Sequence, residues 1–177
     1  MNMITYRPTQ QVTPQPEIPV RVEPNSKTIL WGAPFWFFFH TMAEKVKPDK
    51  FAQIRNEMFD IIREVCNNLP CPSCTQHAVS YISKINFQRI RTKGELITML
   101  FEFHNTVNKN TRAPLFTYAE LANKYSKANL INIVNYFMHF YKMEHHVIRM
   151  MADDMYRKRS AKKILDWFHA NQQHFDI

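Results

Sequence analysis

The sequence predicts an all-α protein. Three observations carry that reading. Only two glycines occur among 177 residues, apolar positions recur at helical spacing through successive segments, and 45% of the residues are hydrophobic, enough for a chain of this length to bury a real core.

Residues 1–27 hold five of the ten prolines and read as a polar, disordered tail whose hydrophobicity is too low to offset ordering entropy. The domain opens over 28–46, where Gly32 and Pro34 precede Trp36-Phe37-Phe38-Phe39-His40, and Pro34 suits a first helical turn. Trp36 and His40 are four apart and share a face, as a flat heteroaromatic ligand or a packed core would need. Pro48 and Asp49 separate this helix from one over 50–67, with Phe51, Ile54, Met58, Ile61, Ile62 and Val65 on its apolar side. A third helix runs from about Pro72 to Lys84, a loop follows over 85–92, and a fourth helix occupies 93–110. After the Arg112-Ala113-Pro114 turn comes a short helix over 117–126 with Tyr118, Leu121 and Tyr125. In 128–157 the apolar positions are Leu130, Val134, Phe137, Tyr141, Ile148, Met151 and Met155, and a last amphipathic piece spans Ile164 to Phe175. There is no internal repeat, no G-x-G-x-x-G and no P-loop signature.

The net charge of +8 permits contact with nucleic acid or acidic surfaces, but a solvated basic face is the preferred reading. The N-terminus lacks the apolar run of a signal peptide, and no stretch reaches the ~18 apolar residues of a membrane span. Three cysteines without a secretory signal argue against a disulfide-stapled fold and for a reducing, cytoplasmic compartment.

Two clusters carry chemistry. The first is Leu69-Pro70-Cys71-Pro72-Ser73-Cys74-Thr75-Gln76-His77-Ala78. Two residues between thiols let one helical turn bring both sulfurs together, so Cys71 and Cys74 can cycle between dithiol and disulfide. If a helix starts here, its dipole and unpaired amides favour a thiolate. The second cluster is His104, Asn105, Val107 and Asn108 at the end of the fourth helix. Polar groups beside an apolar stripe need hydrogen-bond partners, which a ligand or a helix cap would supply.

Taken together, Gly32, Trp36, His40-Thr41-Met42-Ala43, then Cys71, Cys74, His77-Ala78, then His104-Asn105, Val107-Asn108 and Pro114 resemble the Erv/ALR-type FAD-linked sulfhydryl oxidases, most of all the versions encoded by large DNA viruses. The match covers roughly residues 28–126. It implies a four-helix bundle with a short fifth helix, holding FAD at its mouth, and a helical extension over 127–177 that the family domain does not include. It further implies that Cys74 faces the flavin and forms a charge-transfer thiolate, while Cys71 is the interchange thiol. Gly32, Trp36, His40, His77, His104, Asn105, Val107 and Asn108 match FAD-contacting positions, with Tyr125 near the adenine end. The chain departs from the pattern at Ala113, where the family has a basic residue that Arg112 or Lys109 could replace, and at Ala33, where an arginine is frequent. It also lacks a second, shuttle cysteine pair.

The implied activity is thiol oxidation by oxygen, giving disulfides and hydrogen peroxide, with no metal. The rival readings are a zinc module built from Cys66, Cys71, Cys74 and His77 and a basic nucleic-acid-binding helical protein. Neither explains the Trp36/His40 face or the His104–Asn108 cluster, and a thioredoxin-like fold lacks its βαβ pattern. Without a shuttle pair, electrons come from substrate proteins directly or from a separate small dithiol carrier, for which the basic C-terminal segment is a candidate docking surface. Phe35, Phe38 and Phe39 offer more aromatic surface than one ligand needs. With the family's habit of pairing through its first two helices, this predicts a homodimer. If the protein is viral, host cytoplasm or the virion is its location.

Overall fold

The computed structural model describes residues 32–143 and 151–177. The expected N-terminal tail, and Ile148 and Arg149 of the C-terminal segment, lie outside the described residues. Among the described residues seven α-helices follow one another: α1 (Gly32–Lys45), α2 (Pro48–Asn67), α3 (Pro72–Ile82), α4 (Lys93–Thr111), α5 (Tyr118–Tyr125), α6 (Leu130–Tyr141) and α7 (Met151–Asn171). No strand occurs among the described residues, so the all-α expectation holds.

Local chemistry sets the helix ends. Pro48 does not merely interrupt the chain; it occupies the first turn of α2, where its missing N–H costs nothing, and Asp49 complements the dipole beside it. α4 opens on a reciprocal capping box between Thr92 and Glu95, and α5 on another between Thr117 and Glu120. α4 ends at Arg112, which adopts the left-handed conformation at φ 59°, and the Ala113 N–H bonds the Asn108 carbonyl at 2.8 Å. α2 buries the six apolar residues expected of it, together with Phe59 and Cys66.

α6 and α7 join the core of the bundle. Phe137 of α6 stacks on Phe38 of α1, centroids 4.3 Å apart and planes within 8°, and meets Phe35 edge-on at 5.1 Å. Phe35, Phe38 and Phe39 are therefore buried, not the exposed patch that the sequence suggested. α7 lies along α2, where Trp167 donates to Glu57 (2.8 Å) and Lys163 pairs with Glu64 (2.8 Å). The chain end is stitched to the α1–α2 turn, because Lys47 N–H bonds the His174 carbonyl (2.9 Å) and Asp176 N–H the Lys45 carbonyl (2.7 Å).

α7 also corrects the periodicity reading. It begins within the 128–157 segment, whose earlier part is α6, and continues into the Ile164–Phe175 piece; its first turns bury Asp154 and Arg157 and expose Met151 and Met155. The reason is a polar anchor. The Arg157 guanidinium is paired with Asp154 and donates to the carbonyls of Tyr141 (3.3 Å) and Met143 (3.1 Å) at the end of α6. A buried ion pair with satisfied donors outweighs the apolar face there.

Candidate active site

α3 begins where the sequence places it. Pro72 stands in its first turn and Cys71 is its N-cap, the Cys74 N–H donating to Cys71 Sγ at 3.3 Å. Cys71 and Cys74 are joined as a disulfide, with Cα atoms 5.2 Å apart. Ser73 Oγ lies 3.2 Å from Cys71 Sγ on the exposed side of the loop.

Behind the disulfide the four bundle helices enclose a cavity of about 560 Å³. α1 contributes Trp36 and Phe39, α3 contributes Cys74 and His77, and α4 contributes Phe103 and Asn108. The walls are largely aromatic, with few polar groups, which is the composition of a site for a flat ring system. Cys74 is in this wall and Cys71 is not.

Of the residues expected to bind a cofactor, Gly32, Trp36, His77, Val107 and Asn108 line the cavity. His40, His104, Asn105, Arg112 and Tyr125 do not. His104 stacks flat on Trp36, centroids 3.9 Å apart, and its Nδ1 shares a 3.0 Å hydrogen bond with His40 Nε2. His40 in turn stacks on Tyr125 at 4.7 Å. Burial, with Lys124 nearby, pulls both imidazoles down to about 3, and His40 is lowered further by its neighbour His104. Both rings are neutral at pH 7. His40 Nδ1 and the Tyr125 hydroxyl are buried without a hydrogen-bond partner, and burial pushes the Tyr125 phenol up.

The amides of α4 are engaged by the chain itself. Asn105 Nδ2 donates to the Phe116 carbonyl (3.0 Å) and its Oδ1 accepts from the Phe116 N–H (2.9 Å), while Asn108 Nδ2 donates to the Pro114 carbonyl (3.0 Å). They clamp the segment between α4 and α5, a two-sided version of the cap that the sequence allowed. Arg112 is exposed on the far end of this turn.

Sequence reasoning missed Phe39, Leu69, Phe103, Thr111 and Cys66 as cavity residues. Phe39 and Phe103 are detectable as the same-face neighbours of Trp36 (i+3) and Val107 (i−4). It also missed Lys124, whose ammonium sits over the rings of Phe116 (4.8 Å) and Phe37 (5.0 Å), with its pKa lowered by burial. Cys66 is a buried free thiol pushed up to about 12 by desolvation. Among the described residues no group of three His, Cys, Asp or Glu side chains stands close enough to hold a metal ion.

The Erv1/Alr family model matches residues 33–126. The 096R protein of Invertebrate iridescent virus 3, named as an inferred FAD-linked sulfhydryl oxidase, is 31% identical over 86 residues, 48% of this chain and 58% of its own. The chain thus spans just over half the length of that relative. The FAD-linked sulfhydryl oxidase of African swine fever virus is 28% identical over 106 residues, covering 60% of this chain and 87% of its own. The 347L protein of Invertebrate iridescent virus 6, named in the same way as 096R, is 33% identical over 96 residues, 49% of this chain and 83% of its own. No solved structure matches the chain significantly.

Proposed function

Because the chain belongs to the Erv1/Alr family, we propose that it is an FAD-dependent thiol oxidase that forms disulfides and passes the electrons to oxygen. One observation supports this above the others: the redox pair stands at the rim of an apolar aromatic cavity with Cys74 in its wall. The cavity suits FAD, since its volume lies in the range of cofactor sites and its rings can flank a flat tricycle. Trp36, Phe39, Phe103 and Cys74 would hold the ring system, His77 and Asn108 its polar edge, and Arg112 or Lys109 the phosphates. When bound, FAD supplies two-electron acceptance and the route to oxygen and hydrogen peroxide.

The chain's own residues perform the disulfide exchange. A donor thiolate attacks Cys71 Sγ on the exposed side, and Cys74 departs as a thiolate into the cavity wall. Both sulfurs sit at the N-terminus of α3, whose amides and dipole stabilise the anion. The neutral His40–His104 pair and Asn105 are positioning residues: the first backs the Trp36 indole, and the second fixes the turn that brings Thr111 and Ala113 to the cavity. In this reading residues 28–126 are the oxidase domain, and 127–177 an extension whose α6 and α7 pack on α1 and α2.

Electron donors are dithiol proteins, either substrates or a dedicated small carrier. No helix among the described residues is long and apolar enough to cross a membrane, and host cytoplasm or a virus particle remains the proposed location. The expected homodimer now rests on the family resemblance alone, because α6 covers the aromatic surface that supported it. Sedimentation at tens of micromolar tests it, and a monomer refutes it. The function itself is tested by the absorption spectrum of purified protein with oxygen consumption on dithiothreitol. A flavin band released on denaturation, and turnover lost in Cys71→Ser and Cys74→Ser, are expected. Colourless, inactive protein overturns the reading.

A further inference from the structure

The described residues form a second concavity beside the disulfide loop. It holds about 270 Å³ between the end of α2 and start of α3 (Asn68, Leu69, Pro72, Thr75) and the first turns of α7 (Asp153, Tyr156). The loop carrying the redox pair thus has a hollow on each side. The apolar cavity takes Cys74 into its wall, and Leu69 separates it from the groove beneath α7. We propose that this groove is the docking site for the cysteine-bearing segment of a protein electron donor, an inference that rests on the oxidase reading.

Size and lining point to a polypeptide. The groove is smaller than a typical cofactor site, so it accepts a few residues of an extended chain. Its walls offer the Tyr156 hydroxyl, the Asp153 carboxylate and the Asn68 carboxamide oxygen to peptide N–H and C=O groups, while Asn68 Nδ2 and the Thr75 hydroxyl donate to Glu64 and to the Leu69 carbonyl. Tyr156, which lines the groove, is 60% exposed at its edge on α7. An exposed tyrosine beside a pocket is a frequent interface anchor, because one large ring brings contact area and a hydroxyl together. The α7 wall is fixed, because buried Arg157 ties it to the end of α6. Most directly, Pro72 of the groove adjoins Cys71, whose sulfur faces the exposed side of the loop beside Ser73.

The docked donor delivers electrons in two displacements. Its first thiolate attacks Cys71 Sγ. A donor–Cys71 disulfide forms, the Cys71–Cys74 bond breaks, and the electron pair leaves on Cys74 Sγ. The donor's second thiolate then attacks the donor sulfur of that mixed disulfide, forming the donor's own disulfide and releasing Cys71 as a thiolate. The donor loses two electrons and gives its thiol protons to solvent; the Cys71–Cys74 pair gains the two electrons.

Flavin-loaded, full-length Tyr156→Ala tests the proposal, and the exposure of Tyr156 makes the substitution easy to tolerate. The substrates are dithiothreitol and a reduced peptide with a central Cys-Ala-Ala-Cys. The peptide KM should rise about tenfold, the loss of one interface anchor, with its kcat and both dithiothreitol parameters within about twofold of the parent. A second readout needs no turnover. Cys74→Ser protein should displace thionitrobenzoate from the peptide's mixed disulfide through Cys71, and Tyr156→Ala should slow this about tenfold. An unchanged peptide KM and trapping rate overturn the docking site and leave the oxidase standing. An equal slowing of dithiothreitol and peptide also overturns it, by placing the effect in the relay. A parent protein that oxidises neither substrate removes the oxidase reading itself.

Discussion

Phe137→Ala is the sharpest test of whether the C-terminal extension is part of the machine. Phe137 is fully buried, stacked on Phe38 and edge-on to Phe35, with Tyr141 packed at 4.9 Å. Truncating a buried phenylalanine removes its transfer energy and leaves a void, at about 3–5 kcal/mol, with the lost aromatic pairs included in that range. For a chain of this size each kcal/mol lowers Tm by about 2–4 °C, so a fall of roughly 10 °C is expected in a thermal scan. Ile131→Ala, at an exposed position of the same helix, should lie within about 0.5 kcal/mol of the parent. The functional consequence runs through α1. Phe35 touches Phe137 and also lines the cavity beside Trp36, so a loosened α1 should lose flavin on gel filtration before it loses the Cys71–Cys74 disulfide. A Tm shift below about 2 °C with full flavin retention would refute the claim that α6 holds the cavity wall.

Three further outcomes are expected. The His40–His104 pair is lowered in the fold, so it contributes stability fully above the unfolded histidine pKa near 6.5, and that contribution is lost as the pH falls toward about 3; urea titrations of purified protein should show about 2–3 kcal/mol less stability at pH 5.5 than at pH 7, and His104→Gln should reduce the slope. Cys66, buried and pushed up to about 12, should resist iodoacetamide in the native protein at pH 8, and Cys66→Ser should keep most dithiothreitol oxidation; rapid labelling or a dead variant would contradict this. Asn105→Leu should cost about 2 kcal/mol in chemical denaturation, because it leaves the Phe116 N–H and carbonyl unpaired, and should lower flavin content as the following turn loosens.

The bundle was legible because its signals are local. Pro34, Pro48 and Pro72 each sit in a first helical turn, and the apolar face of α2 is buried residue for residue. The C-terminal half was less so, because its decisive contacts are distant in sequence. Nothing near Phe38 announces Phe137, and the aromatic run 35–39 reads equally well as an interface or as the seat of an intramolecular helix. Met151 and Met155 kept helical spacing with the apolar series, but Asp154 and Arg157 took the buried side because the open carbonyls at the end of α6 gave the guanidinium partners there.

The site divides along the same line. Cys71, Cys74 and the aromatic ring at Trp36 were readable because their chemistry is carried by residue type and short spacing. The polar residues of α4 were readable as a cluster but not by partner. A carboxamide beside an apolar stripe must be bonded, yet sequence does not say whether a ligand or the backbone does it. Here Phe116 returns to Asn105 from eleven residues away, and Pro114 to Asn108 from six. This changes what those residues can mean for binding. A side chain that already holds a turn contributes to a cofactor by fixing the turn's carbonyls, methyls and charges against it, so its loss would be felt first as stability and only then as occupancy. His104 is the opposite case: its ring is spent on Trp36 and His40, and the partner left over is His40 Nδ1, one layer behind the cavity wall. The buried nitrogen that the cavity does not reach thus belongs to a residue that the sequence reading matched to a cofactor-contacting position.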